Sequence, residues 1–443
     1  VPRIAIIGGG LAGLASAAAL GSAGFPIDLF ESRPFLGGRA TSYPLPSAED
    51  GATAEAIDNC QHILLRCCVN LLDFYKRLHV EDAIAFHRDI YFMEPGGRTS
   101  ILKAGAFPAP LHFTESFVRL RFLDWSDKIA VGRALLAIRT QRTTRKDLDR
   151  ITMLDWLREQ KQTERAIERF WRQVLVSAIN EELDRMAASH GFQVFWLGFL
   201  SGSRHYEMGI PSKPLGELYT SDAWKRLPNV TLHPRCPAEA IQWQGDRATG
   251  VTAAGRTYPA DVVISAVSFE RARVLLPDLP VDWAAFEHSP ITGIHLWFDR
   301  PVTDLPHATL LDTTIQWFFN KGGGRYLMLV VSASRSLAQI SRNDLIALAV
   351  RELGQFLPAV RDAKIEKAHV VKEMRATFSA ATGLEEKRPL AVTRYPNVFL
   401  AGDWTRNGWP ATMEGAVRSG YLAAEAVAHS LQQPQTFVLP DVA

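Results

Sequence analysis

The chain has 443 residues, of which 47% are hydrophobic and 22% charged, with a formal net charge of +2 at pH 7. That length exceeds one ordinary core and that balance is globular, so a disordered or coiled-coil chain is excluded and two domains are expected. The even charge gives no reason to expect nucleic acid, and 4 cysteines make no disulfide framework, which points to a reducing, cytoplasmic setting.

The opening VPRIAIIGGG has neither a charged n-region nor an A-x-A site, so no secretory signal is expected. Residues 4–27 carry no charge and are long enough to span a bilayer, yet their order argues for a soluble fold. A β-branched run at 4–7, glycines at 8–10 and an alanine-rich stretch at 11–20 predict strand, turn and helix. Gly8, Gly10 and Gly13 form G-x-G-x-x-G across that turn. The first glycine permits the tight turn, the second admits a pyrophosphate, and the third lets helix and strand pack closely. A second predicted strand, 27–30, runs into Glu31, an acid placed to hold the hydroxyls of an adenosine ribose. Gly37, Gly38 and Arg39 then make a second small, cationic turn able to close on a pyrophosphate.

Residues 58–68 read DNCQHILLRCC, with three cysteines and a histidine. Adjacent cysteines are poor zinc spacing beside C-x-x-C pairs, so no metal is expected. Cys67 and Cys68 are read as small apolar residues opening a helix, LLRCCVNLLDFYKRL. Residues 107–136 and 192–200 are rich in large apolar side chains, including Phe113 and Phe117. They suit an ordinary helical core or an apolar tunnel or lid. Arg119, Arg121, Lys128 and Arg133 interleave with the aromatics, as in a basic segment lying on an anionic bilayer. Residues 230–260 alternate and break at Gly245-Asp246 and Ala254-Gly255, which predicts a β meander, and 262–266 predict a buried parallel strand. A last strand, 397–401, leads to Gly402 and Asp403 and, after a loop, to a helix TMEGAVRSGYLAAEAV.

G-x-G-x-x-G, the glutamate, L-G-G-R and the terminal A-G-D with its T-M-E-G-A helix together resemble the FAD-dependent amine oxidase and phytoene desaturase superfamily. The resemblance implies FAD as cofactor and an α/β fold: a discontinuous Rossmann-like FAD-binding domain (residues 1–95, 205–270 and 388–430) with an inserted α+β substrate domain (96–204 and 271–387) and a tail at 431–443. It further implies that Asp403 bonds the ribityl chain and that the Met413 amide approaches the flavin ring. The cofactor-binding candidates are Gly8, Gly10, Leu11, Ala12, Gly13, Glu31, Ser32, Gly37, Gly38, Arg39, Cys236, Pro237, Gly402, Asp403, Thr412 and Met413.

Longer runs, among them IDNCQHILLRCCVNLLDFYKRLHVED, INEELDRMAASHG, IPSKPLGELY and AGDWTRNGWPATMEGAVRSGYLAA, are similar to the hydroxysqualene dehydroxylase family over the full length. That likeness implies reduction of a C30 allylic alcohol to squalene in hopanoid synthesis. The family commonly has glycine where this chain has Cys60, and another near Arg66. Removing an allylic hydroxyl requires a proton on oxygen and a tolerated cation. Asp58 and His62 are the acid candidates, with Gln61 as orienter, and Trp404 and Trp409 join Phe113 and Phe117 as candidates for a substrate wall. With one dinucleotide fingerprint, no NAD(P)H domain is expected, so electrons would come from an external donor. A carotenoid desaturase is the nearest alternative, and a non-catalytic flavin- and lipid-binding component is one from another class. An amine oxidase would want an aromatic cage and a lysine near the flavin, neither of which is apparent.

Overall fold

The computed structural model describes residues 1–45 and 55–442. Its first sheet has five parallel strands in the order 230–233, 27–30, 4–7, 262–265 and 398–400. The three middle-to-edge strands Ile4–Ile7, Val262–Ser265 and Val398–Leu400 are buried along their length, as a parallel sheet covered on both faces requires. All five strands leave the sheet at one edge, where Gly8, Glu31 and Gly402 emerge; ligands of open parallel sheets bind outside that edge.

One face is covered by helix Leu11–Ser22 and, against it, the C-terminal helix Met413–Ser430. A Cβ at Gly420 would stand 2.2 Å from the Ala12 carbonyl oxygen, so only glycine allows this approach. Ser16 Oγ donates across the contact to the Gly420 carbonyl at 2.9 Å. The other face carries the meander, strands Ala238–Gln244, Arg247–Ala253 and Arg256–Pro259, packed through Val251, Val263 and Phe269.

The second sheet has seven strands in the order 365–378, 288–298, 326–332, 317–322, 307–310, 90–93 and 99–102. The helix Arg342–Phe356 packs on one face. Helices from residues 125–200 pack on the other around Trp156, Trp171, Phe192 and Phe195. Strand Ile90–Met93, within the stretch expected to belong to the cofactor domain, pairs in this second sheet, parallel to His307–Leu310.

The helix expected from residue 64 begins at Val69. Leu64–Leu65 instead pairs as a strand with Met208 and Gly209, and Cys68 is the residue before the first helical turn. A short apolar run fits strand or helix equally well, and here the distant partner decides.

Candidate functional site

The two glycine turns lie against each other. The Gly37 amide donates to the Gly9 carbonyl at 2.8 Å, and a Cβ at Gly13 would stand 1.9 Å from the Gly8 carbonyl oxygen. Gly10 caps helix Leu11–Ser22 without a side chain to take up its first amides, those of Leu11, Ala12 and Gly13. Glu31 is 8% exposed. Its Oε2 accepts from Gly9 N at 2.8 Å, and its Oε1 accepts from Arg33 N at 2.7 Å and Ser32 Oγ at 3.0 Å. Cys236 N donates to the Glu31 carbonyl at 2.8 Å, so the turn at Cys236 and Pro237 ends beside this acid.

From the other end of the chain, Asp403 meets Arg39: Oδ1 lies 2.6 Å from the guanidinium, which also donates to the Ala376 carbonyl at 3.1 Å. Gly402 N donates to Ser419 Oγ at 2.8 Å. Thr412 Oγ1 accepts from Gly415 N at 3.0 Å and caps the helix that starts at Met413. These contacts bring residues 8–13, 31–39, 236–237 and 402–413 to one edge of the first sheet.

Residues 58–62 extend the same surface. Asn59 Nδ2 donates to the Arg39 carbonyl at 2.8 Å, and Asn59 Oδ1 lies 2.9 Å from His62 Nε2. Asp58 is buried, and its Oδ1 accepts from Ser42 Oγ at 2.6 Å and Leu215 N at 2.8 Å. Lys321 Nζ, at the end of strand Trp317–Gly322, lies 3.6 Å from Asp58 Oδ2 and donates to Gln61 Oε1 at 3.3 Å. Burial brings His62 down to about 4, with Asp58 opposing and Lys321 assisting, so its imidazole is neutral at pH 7 and does not stand ready there as a cationic acid. Burial likewise pushes the Cys60 thiol up to about 12, which leaves it unreactive beside His62 Nε2 at 3.5 Å. His295, on strand His288–Phe298, is fully buried with Nδ1 2.8 Å from Tyr326 Oη and is held down to about 3, chiefly by burial. The site therefore joins Asp58, Gln61 and His62 and adds Lys321, the cation among them. In Lys321→Met, His62 is expected to titrate at a higher pH than in the wild type, because a neighbouring cation that disfavours its protonated form is gone; histidine NMR titration measures this, and an unmoved or lowered midpoint contradicts the arrangement.

The four wall candidates are not brought together. Trp404 is 1% exposed, donates from Nε1 to the Val267 carbonyl at 2.9 Å and packs against Trp283 and Phe286 in the core under the meander. Trp409 packs with Cys67 and Leu197 and donates to Asp441 Oδ1 at 3.1 Å. Phe113 and Phe117 belong to the helical core, against Tyr206 and Phe170 respectively.

Two further residues hold the site without being apparent from sequence. Arg388 is fully buried and ties Asp403, Thr405 and Trp409 by their carbonyls. Glu414, one residue into the C-terminal helix, accepts from Asn70 N at 3.2 Å, Asn70 Nδ2 at 2.8 Å and Leu71 N at 2.7 Å, so the start of helix Val69–Arg77 is fixed to the start of the other.

The donor set suits a dinucleotide flavin. A Cβ at Gly10 would meet nothing nearer than Gly38 Cα at 3.9 Å, which leaves room between the two turns, and the amides and Arg39 around it are matched to phosphate. The family model described as flavin containing amine oxidoreductase matches residues 11–428. The chain is 26% identical to the 15-cis-phytoene desaturase of Synechococcus elongatus over 473 residues, 96% of this chain and 95% of the relative. It is 24% identical to the zeta-carotene desaturase of Synechocystis over 494 residues, 99% of each. Among solved structures, wild-type putrescine oxidase bound to putrescine aligns with a TM-score of 0.69 at 14% identity over 97% of this chain and 98% of that one. An oxidoreductase from Methanosarcina mazei aligns with a TM-score of 0.70 at 19% identity over 94% and 98%. At those identities the structural likeness speaks for the fold.

Proposed function

Because the chain belongs to the flavin containing amine oxidoreductase family, we propose that it is an FAD-dependent oxidoreductase acting on a long isoprenoid chain. When bound, FAD supplies a ring that exchanges a hydride with carbon. In this reading Glu31 and Ser32 hold the adenosine ribose beside Cys236 and Pro237. The Leu11, Ala12 and Gly13 amides with Gly37, Gly38 and Arg39 take the pyrophosphate. Asp403, paired here with Arg39 at 2.6 Å, would take the ribityl hydroxyls, and the Thr412–Met413 turn would lie towards the ring. Electrons enter or leave through an external partner.

The observation that carries the substrate class is the likeness to carotenoid desaturases over nearly the whole length of both chains. It favours dehydrogenation of a polyene precursor over the reductive dehydroxylation that the sequence runs led us to expect. Dehydroxylation of hydroxysqualene to squalene stays as a second reading on one observation. A hydrocarbon has no oxygen to protonate, yet the site holds a partly buried cation, Lys321, between Asp58 and Gln61. A proton delivered to a leaving hydroxyl by a positioned donor is worth about 10²- to 10⁴-fold.

One pair of incubations decides. Oxidised protein is given phytoene and anaerobically reduced protein is given hydroxysqualene, with flavin spectra and lipid products followed. New double bonds with flavin reduction support the first reading, and squalene with flavin oxidation supports the second. An unchanged flavin in both removes the isoprenoid reading. We further propose that the protein works in the cytoplasm at the inner face of the membrane, where such substrates reside. No helix among the described residues is long and apolar enough to cross a membrane, so contact would be peripheral.

A further inference from the structure

Helix Trp125–Thr144 is apolar on two opposite faces. Ala130, Val131, Ala134 and Ile138 are buried in the helical core. On the far side Trp125, Ile129 and Leu136 are 65%, 60% and 59% exposed. At about 100° per residue these three lie within about 40° of one another, a bare apolar stripe. Phe107, Leu111 and Val118, in the segment leading to the helix, are also exposed.

Cations border the stripe. Lys128, Arg133 and Arg139 lie within about 80° of it on the same helix. At its N-terminal end a cavity of about 1080 Å³ is lined by Arg98, Lys103, Arg119, Arg121 and Lys128. Its two carboxylates are engaged, Glu115 with Arg119 and Asp124 with Arg165. The Arg121 side chain has no ion pair or hydrogen bond among the described residues. Lys128 Nζ is 5.1 Å from the Trp125 ring and donates to the Val118 carbonyl.

We propose that this face docks on an anionic phospholipid bilayer. Trp125, Ile129 and Leu136 enter the boundary between headgroups and acyl chains, and the cavity at Arg121 and Lys128 receives a lipid phosphate. Exposed apolar residues alone would also suit a second copy of the chain, but a two-fold contact through this stripe would set its cations against their own copies. An anionic surface meets both the apolar and the charged parts. Docking rests on the proposed peripheral location and not on the redox direction, so vesicle binding can fail while the two incubations still report flavin turnover.

The test is sedimentation of the flavin-loaded protein with phosphatidylcholine vesicles and with vesicles that also contain phosphatidylglycerol. Binding is expected to be about tenfold or more stronger with phosphatidylglycerol and to weaken from about 0.05 to about 0.5 M salt. A Trp125→Ser, Ile129→Ser, Leu136→Ser triple variant is expected to lose binding about tenfold or more. An Arg121→Gln, Lys128→Gln variant should bind both vesicles alike. Unchanged flavin content and melting temperature show that the variants fold, and Trp125→Ser alone serves if the triple does not. Equal wild-type binding to the two vesicles, binding to neither, or a solution dimer that the triple variant disperses would overturn the proposal.

Discussion

Replacing Arg388 with methionine is expected to destabilise the protein by about 3–5 kcal/mol and to strip it of flavin. Its side chain is 1% exposed, with the guanidinium 2.5 Å from Glu385 Oε2 and 5.2 Å from the centre of the Phe378 ring. It donates to the carbonyls of Trp409 at 2.8 Å, Asp403 at 2.8 Å and Thr405 at 2.5 Å. These carbonyls belong to a loop with no strand or helix to satisfy them, so the arginine stands in for secondary structure along 403–409. Burial pulls Arg388 below the ordinary guanidinium value while Glu385 opposes, and its ionised form is retained because the partners surround it. Methionine fills much the same volume but leaves the Trp409 carbonyl without a donor, the Asp403 and Thr405 carbonyls with Asn407 Nδ2 alone, at 3.2 and 3.0 Å, and a carboxylate without its cation. Asp403 would then keep only the longer of its two backbone anchors, the bond from Asn407. Lysine restores the charge without the planar fork, so Arg388→Lys should recover part of the stability and little of the flavin affinity. Thermal melting and the flavin absorbance of the purified variants measure both effects. A yellow Arg388→Met protein melting with the wild type would show that the loop holds its shape unaided.

The parts of this molecule that were legible in its sequence are those whose signal is local. Gly8, Gly10, Gly13 and Glu31 follow one strand, one turn and one helix, and the meander shows its alternation and its two glycine turns directly. The strand before Gly402 could be placed at the same sheet edge only because its motif resembles a known one; the neighbour relation itself spans most of the chain. Lys321 shows what a local reading misses. It is one charge at the end of an apolar strand, and its proximity to Asp58 and Gln61 arises from sheet packing across some 260 positions. Trp404 shows the converse. Adjacent to Asp403 in sequence, it points away into the core under the meander, because neighbouring residues in an irregular loop need not share a direction. Leu64 and Leu65 read as the start of a helix until the strand at Met208 is known. The actual start of that helix is fixed by Glu414, whose partners lie some 344 positions away.

Glu414 makes stability depend on pH, with a sign that can be stated beforehand. Both carboxyl oxygens accept from amide donors, which favours the anion, but burial dominates and pushes the group up to about 7. An unfolded glutamate titrates near about 4.3. The folded protein thus holds this proton more tightly, so stability due to Glu414 is greatest below about pH 4.5, falls as pH rises through the window to about 7, and is level above it. His62 contributes the opposite slope, because its folded value of about 4 lies below the unfolded one and acid costs it stability. The other ionisable groups that bear on Glu414 are Arg418, which favours the carboxylate, and Cys68, which its contact with Cys67 and then burial keep as a neutral thiol. Glu414→Gln retains one acceptor for Leu71 or Asn70 and removes the titration. Relative to the wild type it should therefore gain about 1–3 kcal/mol between pH 5 and pH 7.5, a comparison in which the His62 term cancels. Glu414→Ala should lose roughly 3 kcal/mol at pH 5, because the first amides of helix Val69–Arg77 are then buried without an acceptor, and the deficit should shrink by about 1–3 kcal/mol at pH 7.5 as the wild-type carboxyl ionises. Denaturant unfolding at the two pH values gives both quantities. If wild type and Glu414→Gln run parallel from pH 5 to pH 7.5, the carboxyl does not ionise in that window, and the joint between the two helices is a permanent anion rather than a titrating one.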